Sequence, residues 1–368
     1  MKYLWTQFVF VAAVFCINPA YAQSTFTNPL LPSGADPWCI FKDGYYYYTN
    51  TTSRNITLWK TTNMATLSTS EKKIVWTPPD TGSYSKQLWA PEIHYLKGKW
   101  YIYFAADDGN NIRHRLYVLE NTSKDPLEGT WVLKGKLYTP ENRWAIDGSI
   151  FKNKKQLYLI WSGWKGDTNG EQNIFIAKMK NPWTAKGKRI LISEPVYDWE
   201  KNGDLNNPND VSHVNVNEGP QILQHGNQLF LIYSASGCWT DKYALGMLTA
   251  NKNSDLTKAS SWIKTDHPVF KGSDKNKVYA PGHNSFFKSP DGKENYILYH
   301  ANSEPGQGCG IHRSPRAQPF RWNEDGSPNF GEPVSEEMKI PVPSGTATAK
   351  EETISFPVSP NPQSLSIN

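Results

Sequence analysis

The sequence has no strong net charge, few cysteines and, beyond its first residues, no long apolar run. The formal net charge is +5, and the 39 lysines and arginines are scattered along the 368 residues instead of forming a basic stripe. After residue 22, no segment is long and apolar enough to cross a bilayer as a helix. We therefore expect no membrane span and no nucleic-acid partner.

Cysteine occurs at only four positions. Cys16 falls in the leader segment described next, which leaves an odd number, so at least one thiol is free or pairs with another molecule. Cys39 lies in an alternating stretch and is expected to be a small buried side chain. Cys238 and Cys309 each follow a glycine-containing turn, and this similarity makes them candidates for a disulfide.

The first 22 residues have the pattern of a secretory signal peptide. Met1-Lys2 supplies a charged start, residues 8–17 are almost wholly apolar, and Ala20-Tyr21-Ala22 fits a cleavage site after Ala22. The apolar run is too short to span a bilayer comfortably. We predict an exported protein, either periplasmic or secreted.

What the sequence has in abundance is aromatic residues, including 15 tryptophans and 19 tyrosines. Aromatic side chains pack well in β-sheets, and exposed ones also offer flat platforms for the apolar faces of sugar rings. We expect packing for most of them. For Trp89, Trp144 and Trp164, both sugar stacking and core packing stay open.

One short pattern recurs five times along the chain. In each copy a strand begins near a polar anchor residue, a turn follows, and an aromatic-rich strand returns, which predicts a hairpin. The anchors are Asp36, Glu92, Asp147, Glu218 and His283, at intervals of 56, 55, 71 and 65 residues. Such a repeat predicts an all-β, five-bladed β-propeller with about four strands per blade. We expect it to occupy residues 23–340 of a monomer, with a Pro, Ser and Thr-rich tail at 341–368 that can pack on it.

The repeat predicts where the anchor side chains meet. The first strand of each blade of a propeller is innermost, so residues at the same phase of the repeat lie at the mouth of the central channel. The interval before Glu218 is long because it holds an Asn-rich insertion at 198–215. This insertion and the loop around Asp167 predict walls that close a pocket.

Carboxylates so placed suit the hydrolysis of a glycosidic bond. One carboxylic acid protonates the leaving oxygen, and in an inverting enzyme a second carboxylate, about 6.5–9.5 Å away, activates water. Asp36 and Glu218 are expected to face each other across the channel. Asp147, on the neighbouring blade, is expected to raise the pKa of the acid by repulsion between like charges.

The five motifs together resemble glycoside hydrolase family 43, over about residues 28–330. The resemblance implies that Asp36 is the general base, Glu218 the general acid and Asp147 the residue that orients the acid. It implies no organic cofactor, and a hydrated calcium or other cation held by His283 near the channel axis. The matching motifs are Ala35-Asp36-Pro37, Trp89-Ala90-Pro91-Glu92, Ile146-Asp147-Gly148, Asn217-Glu218-Gly219-Pro220 and Pro281-Gly282-His283-Asn284.

Further segments resemble the branch of the family that contains α-L-arabinofuranosidases and β-xylosidases. They include residues 172–177, 181–184 and 233–237, and Arg316-Ala317-Gln318-Pro319. The sequence predicts an enzyme that releases terminal α-L-arabinofuranosyl units from plant cell-wall polysaccharide or oligosaccharides. The predicted substrate contacts are Trp89, Glu92, Trp164 and Arg316. The alternatives are a β-xylosidase, an endo-arabinanase, and a non-catalytic glycan-binding propeller, which would be expected to lack Asp36 or Glu218.

Overall fold

The computed structural model describes residues 24–137, 141–167, 170–203 and 214–347. Within these ranges the chain forms five four-stranded antiparallel sheets, each built from consecutive strands. The predicted five-bladed β-propeller is therefore confirmed. The predicted signal peptide at 1–22 and the part of the tail beyond residue 347 lie outside the described residues.

Each blade uses four strands in chain order, and the first is the innermost. A short strand β1 (Thr25–Phe26) precedes the blades. Blade 1 holds β2 (Ala35–Lys42), β3 (Tyr45–Thr51), β4 (Ile56–Thr61) and β5 (Glu71–Trp76). Blade 2 holds β6 (Lys86–Leu96), β7 (Lys99–Asp107), β8 (Arg115–Asn121) and β9 (Val132–Lys136). Blade 3 holds β10 (Ala145–Asn153), β11 (Gln156–Trp164), β12 (Gln172–Asn181) and β13 (Thr184–Ser193).

The last two blades follow the same plan. Blade 4 holds β14 (Asn217–His225), β15 (Gln228–Ala235), β16 (Ala244–Asn251) and β17 (Ile263–Lys264). Blade 5 holds β18 (Tyr279–Lys288), β19 (Asn295–Asn302), β20 (Ser314–Trp322) and β21 (Pro328–Asn329), and β22 (Ile340–Pro341) comes last. Short 3₁₀ helices lie at Met64–Thr69, Asn111–Arg113, Asp198–Glu200 and Ala259–Ser261. Over the described ranges, no helix is long and apolar enough to cross a membrane.

The hairpins form where the turn residues allow positive φ. In blade 1 the turn between β2 and β3 is Asp43-Gly44, with φ of 52° and 85°. Two positive φ angles in a two-residue loop match the right-handed twist of the flanking strands. This turn therefore brings the aromatic strand β3 back along β2, as the sequence predicted.

The core of the molecule lies between neighbouring blades. Each of five apolar clusters joins one blade to the next, and together they complete the circle. Where blade 5 meets blade 1, for example, Tyr46 and Tyr48 pack with Tyr296 and Leu298. Most of the abundant aromatic side chains are used here, because their large flat surfaces fill the wedge between twisted sheets.

The two ends of the propeller are joined by hydrogen bonds. Strand β1 pairs antiparallel with β22. Between β1 and blade 1, Asn28 exchanges two hydrogen bonds with the backbone of Ala317 in β20. The backbone N–H groups of Leu30 and Gly34 donate to carbonyls of Pro315 and Arg313. The leading segment therefore ties blade 1 to blade 5, as expected for the closure of the ring.

The candidate disulfide is present, and the third cysteine is buried. Cys238 and Cys309 are bonded, with 5.3 Å between their Cα atoms and a sequence separation of 71. They connect the loop after β15 to the loop after β19, so the bond joins blades 4 and 5. The thiol of Cys39 is free and buried, as the alternating sequence around it predicted.

We expect the double variant Cys238→Ser/Cys309→Ser to lose about 2–4 kcal/mol of unfolding free energy, because the bond restricts a long loop in the unfolded chain. Urea unfolding of both proteins measures the difference. A reductant should lower the midpoint of the wild-type protein and leave that of the double variant where it is. Equal midpoints for the two oxidised proteins would contradict the expectation.

Candidate active site

A β-bulge interrupts the first strand of every blade close to its beginning. The pairing register of each first strand with the second shifts at this point. At the shift that all five blades share, one residue has a positive φ of 37° to 58°, and these residues are Asp36, Ala90, Asp147, Gly219 and His283. The first strands of blades 2 and 5 shift register a second time, at Gln87 and Ala280, which also have positive φ. Bulges redirect side chains and are frequent next to functional sites. The five bulges lie at the same end of the propeller channel.

The bulges show that the predicted equivalence of the five anchor residues was wrong for two of them. The positions equivalent to Asp36 and Asp147 are Ala90 and Gly219, and not Glu92 and Glu218 as the sequence comparison assumed. Glu218 stands one residue before its bulge, and Glu92 stands two residues after its own. Because side chains alternate along a strand, this offset decides where each carboxylate points.

Three carboxylates meet in one cavity at the bulged end. The cavity has a volume of about 370 Å³. It is lined by Asp36, Thr51, Ser53, Trp89, Asn111, Trp144, Ile146, Asp147, Gln172, Glu218, Cys238, Trp239, His283, Cys309 and Arg313. A groove of about 690 Å³ lies at the opposite end of the inner strands and has no carboxylate among its lining residues. The smaller cavity is therefore the candidate active site.

Asp36 is surrounded by hydrogen-bond donors and positive charge. The hydroxyl of Thr51 donates to its Oδ2 at 2.5 Å, and its own backbone N–H donates to Nδ1 of His300 at 3.0 Å. Its Oδ1 lies 3.4 Å from Nδ1 of His283 and 3.6 Å from Nη1 of Arg313. Burial by itself raises the pKa of Asp36, but these charges and the Thr51 hydroxyl outweigh burial and lower it to about 2. Asp36 is ionised at neutral pH.

At Glu218 the effects that raise the pKa outweigh those that lower it. Burial raises its pKa to about 7, and the negative charge of Asp36 acts in the same direction. The hydroxyl of Tyr243, which donates to Oε1 at 2.7 Å, and the charge of Arg313 oppose the rise without cancelling it. Glu218 therefore holds a proton up to about neutral pH, next to an ionised Asp36.

Asp147 lies near the other two groups and holds the bulge next to Glu218. Its Oδ2 accepts a hydrogen bond of 3.0 Å from the backbone N–H of Gly219. Burial raises the pKa of Asp147 well above its usual range, and repulsion from Glu218 and Asp36 raises it further. Two carboxyl groups this close disfavour simultaneous ionisation. Separated pKa values among neighbouring carboxyl groups are typical of an acid and a base used together.

The cavity walls come from aromatic residues and the disulfide. Trp89 lines the cavity and stacks on His114, with ring centroids 4.0 Å apart. On the next blade, Trp144 also lines it and stacks on Trp164 at 4.7 Å. The opposite wall includes Trp239, whose indole N–H donates to the carbonyl of Gly203 at 3.0 Å. Gly203 belongs to the insertion predicted to close a pocket. Residues 204–213 of that insertion lie outside the described residues.

The structure corrects three of the predicted substrate contacts. Trp164 is 2% exposed, because it packs in the core between blades 2 and 3 and stacks on Trp144. Glu92 points down the channel, where it accepts a hydrogen bond from Gln221 and contacts Nε2 of His94 at 2.9 Å. Arg316 is fully buried in the middle of β20 and pairs with Glu336. None of the three lines the cavity.

The sequence did not single out Arg313, which lines the cavity, or Tyr243, which is buried and contacts Glu218, although both have the same position in their blades. Tyr243 immediately precedes β16, and Arg313 immediately precedes β20. The first and third strands of an antiparallel blade run in the same direction, so their N-terminal ends reach the same face of the propeller. The residue before each third strand was therefore the available signal. Using it requires the start of β20 to be known to within three residues, and the alternation of residue types does not locate that start.

The described side chains around His283 are too few to coordinate a calcium ion by themselves. Its Nδ1 lies 3.4 Å from Asp36 Oδ1 and 3.8 Å from Asp147 Oδ2. Calcium takes about six to eight oxygen ligands. Among the residues that the structure describes, no group of three or more His, Cys, Asp or Glu side chains is arranged to hold a metal ion. The side chains do not form an all-protein calcium site, and the predicted cation stays a prediction.

Comparison with known proteins agrees with this geometry. The sequence model of glycosyl hydrolases family 43 matches residues 26–328. The chain is 42% identical over 328 residues to an extracellular exo-α-(1→5)-L-arabinofuranosidase of Streptomyces avermitilis, covering 86% of this chain and 66% of that protein. This chain thus spans just under two thirds of that relative.

Two further relatives are covered over more of their length. An extracellular exo-α-(1→5)-L-arabinofuranosidase of Streptomyces chartreusis is 37% identical, and the match covers 77% of this chain and 84% of that protein. The crystal structure of an α-L-arabinofuranosidase from Lactobacillus brevis superposes with a TM-score of 0.77 at 36% identity. That superposition covers 85% of this chain and 98% of the solved one.

Proposed function

Because this chain belongs to glycoside hydrolase family 43, we propose that it is an inverting exo-acting hydrolase that releases terminal α-L-arabinofuranosyl units from arabinan or arabinoxylan fragments. The observation that carries the proposal is a pair of carboxyl groups in one cavity whose pKa values are far apart. Asp36 has a pKa of about 2 and Glu218 a pKa of about 7. Between these values one group is ionised and the other is protonated, as a base and an acid must be.

Asp36, Glu218 and Asp147 have separate roles in the proposed reaction. Asp36 takes a proton from a water molecule, whose oxygen forms a bond to the anomeric carbon from the face opposite the leaving group. The glycosidic C–O bond breaks as Glu218 gives its proton to the leaving oxygen, and the released sugar has the inverted configuration. Asp147 positions the acid, since it holds the neighbouring backbone N–H of Gly219. Exchange of protons with solvent then restores both carboxyl groups.

The walls of the cavity support action at a chain end. Its volume of about 370 Å³ is near the lower end of the range for small-molecule sites, about 300–1,000 Å³. Trp89 offers a partly exposed aromatic side chain to a sugar ring from blade 2, and the largely buried Trp144 forms part of the wall on blade 3. The disulfide and Trp239 close the side formed by blades 4 and 5. The two Streptomyces relatives are named as exo-acting enzymes on α-(1→5)-linked arabinofuranose.

We also propose that the protein is exported. Both Streptomyces relatives are named as extracellular. The Cys238–Cys309 bond fits an oxidising compartment, where disulfides persist. Cleavage after Ala22 and the monomeric state stay predictions.

A proton NMR time course tests the proposed function. The purified protein would act in parallel on 4-nitrophenyl α-L-arabinofuranoside and on the β-D-xyloside, and the anomeric signal of the released sugar would be followed. We expect faster release from the arabinoside, with the β-anomer appearing first. Faster release from the xyloside would replace the proposed sugar. First appearance of α-arabinose from the arabinoside, or of β-xylose from the xyloside, would overturn inversion. No release from either would favour a glycan-binding role.

The pH dependence of kcat/KM on α-1,5-linked arabinobiose follows from the two pKa values. Asp36 stays ionised at every pH above about 4, so kcat/KM should be constant between pH 4 and the pKa of Glu218. Above the pKa of Glu218, about 7, kcat/KM should fall about tenfold per pH unit because the acid has lost its proton. The melting temperature, measured across the same range, controls for unfolding. A flat profile up to about pH 9 would show that another group supplies the proton.

A further inference from the structure

The carboxyl group of Glu218 has one neighbour that no motif pointed to. Tyr243 is 1% exposed, and its hydroxyl donates to Glu218 Oε1 at 2.7 Å. Burial raises the pKa of Tyr243 well above its usual value, and the negative charge of Glu218 raises it further. The phenol therefore keeps its proton at every pH at which the protein works.

A chain of hydrogen bonds gives this contact a fixed direction. The backbone N–H of His283 donates to Oγ of Ser234 at 2.8 Å. A backbone N–H can only donate, so Ser234 accepts there, and the hydrogen of its hydroxyl is left for another acceptor. The Ser234 hydroxyl acts to lower the pKa of Tyr243, as a donor to the phenol oxygen does. Tyr243 in turn gives its hydrogen to Glu218. The chain runs from the bulge of blade 5 to the carboxyl group of blade 4.

The direction of the chain distinguishes the two oxygens of Glu218. A protonated carboxyl group has one hydroxyl oxygen and one oxygen that only accepts. Because Tyr243 donates to Oε1, that oxygen is the acceptor, and the proton of the acid is left on Oε2. Without the phenol, either oxygen could carry the proton, and the carboxyl group could turn about its terminal bond.

The ring of Tyr243 is held by close packing. A Cβ atom at Gly282 would lie 2.0 Å from Cε1 of Tyr243, so a larger residue at 282 would displace the ring. On another side the ring lies parallel to that of His300, at 5.9 Å between centroids. His300 accepts the backbone N–H of Asp36. The same packed group therefore contacts both Asp36 and Glu218, and it explains the glycine of the Pro281-Gly282-His283 motif.

We propose that Tyr243 is a positioning residue that fixes the acidic proton on Oε2 of Glu218 and holds the carboxyl group in the orientation that protonates the leaving oxygen. This inference rests on the proposed function, in which Glu218 is the general acid. It adds a residue from the loop before β16 to the reaction. Ser234 then acts on the phenol of Tyr243, and Gly282 leaves the space that its ring occupies.

The test is Tyr243→Phe, which removes the hydroxyl and keeps the ring. A hydrogen bond to a carboxylate stabilises its ionised form, so its loss should raise the pKa of Glu218. We expect the descending limb of kcat/KM against pH to move to higher pH by about one unit. On arabinobiose, kcat/KM should fall about tenfold or more, as expected for a hydrogen bond to a group that becomes charged when it gives up its proton. With a 2,4-dinitrophenyl leaving group, which needs little protonation, the loss should be much smaller.

Tyr103→Phe is the matched control. Tyr103 is also fully buried, and its hydroxyl donates to the carbonyl of Pro182 at 2.6 Å, away from the cavity. This variant should keep the wild-type pH limb and the wild-type ratio between the two leaving groups. If Tyr243→Phe also keeps both, or loses the same factor on both substrates, Tyr243 has only a structural role and the proposal is overturned.

A second measurement separates this proposal from the proposed function. Carbon-13 NMR titration of the Glu218 carboxyl group needs no turnover, and it should show a higher pKa in Tyr243→Phe than in the wild-type protein. An unchanged titration would overturn the inference even in an active enzyme. Failure of the wild-type protein to cleave any arabinofuranoside would instead overturn the proposed function. If Tyr243→Phe does not fold, Ser234→Ala, which removes the donor to the phenol, should shift the titration in the same direction, and an unchanged titration there would overturn the inference.

Discussion

Replacing Glu218 with glutamine is expected to lower kcat/KM on arabinobiose by about 10²–10⁴-fold, the usual contribution of a general acid. Glutamine has the same shape, and its carbonyl oxygen can still accept the hydrogen bond that Tyr243 donates to Oε1. What the variant lacks is the proton held by a group with a pKa of about 7. The measurement is the initial rate of arabinose release over a range of substrate concentrations.

The pattern across leaving groups identifies the role of Glu218. The dinitrophenolate of a 2,4-dinitrophenyl arabinofuranoside leaves without protonation, so Glu218→Gln should retain most of the wild-type rate on that substrate. Glu120→Gln is the control, because Glu120 also accepts a hydrogen bond from a tyrosine, Tyr101, at 2.9 Å but lies outside the cavity. That variant should behave as the wild-type enzyme. Unchanged activity of Glu218→Gln on arabinobiose would refute the assignment of the acid.

The second large effect is expected in stability, at a buried carboxylate beside the active site. Glu200 is fully buried, and its partners connect the start of the insertion before Glu218 to blade 4. Burial raises its pKa, but the hydrogen bond from Lys264 and those from the backbone outweigh burial and lower it, so the group is ionised. Its partners are Tyr233 (2.8 Å), Asn217 (3.1 Å), Lys264 (2.5 Å) and the backbone N–H groups of Val196 (2.8 Å) and Tyr197 (3.0 Å).

We expect Glu200→Ala to lower the unfolding free energy by about 3–5 kcal/mol, because the charge of Lys264 would be left buried without its carboxylate. Urea unfolding measures the change. Glu128→Ala removes the same group from an exposed pair with Lys73 and should cost about 0–1 kcal/mol. Adding Lys264→Met to Glu200→Ala should recover part of the loss. Equal effects of the two alanine variants would contradict the special role of the buried pair.

This network also bears on activity, since Asn217 immediately precedes Glu218. The side chain of Asn217 accepts from the hydroxyl of Ser193 at 2.6 Å and donates to Glu200. The strand that carries Glu218 is therefore fixed at its first residue by buried polar groups. Long-range contacts of this kind are set by the packing of blades 3 and 4 and leave no pattern in the local sequence.

The predicted fold rested on features that are local in the chain. Alternating aromatic strands and turns such as Asp43-Gly44 specify hairpins, and five repetitions specify five blades, because each hairpin can bury its faces only against its neighbours. The buried Cys39 and the pairing of Cys238 with Cys309 followed from similar local patterns. For the same reason the sequence placed Asp36, Asp147 and Glu218 at one end of the channel.

The errors came from details that depend on register and packing. A β-bulge shifts side chains by one residue, so it makes Ala90 equivalent to Asp36 and turns Glu92 into the channel. Arg313 and Arg316 are three residues apart, yet the first lines the cavity and the second lies in the core. Only the position of the strand start separates them, and boundaries of this precision are not encoded in the local pattern.

The sequence by itself determined the five-bladed propeller and the location of the three carboxylates at one end of its channel. Both follow from the repeated hairpin pattern, because the residue types show where each repeat begins. Only the tertiary structure decided the protonation of those carboxylates and their partners. The pKa of about 2 at Asp36 depends on His283, Arg313 and His300, and that of about 7 at Glu218 depends on burial and on Asp36, opposed by Tyr243 and Arg313. These groups come from different blades. The strength of an electrostatic interaction depends on the distance between the charges in space, and the order of the residues does not give that distance.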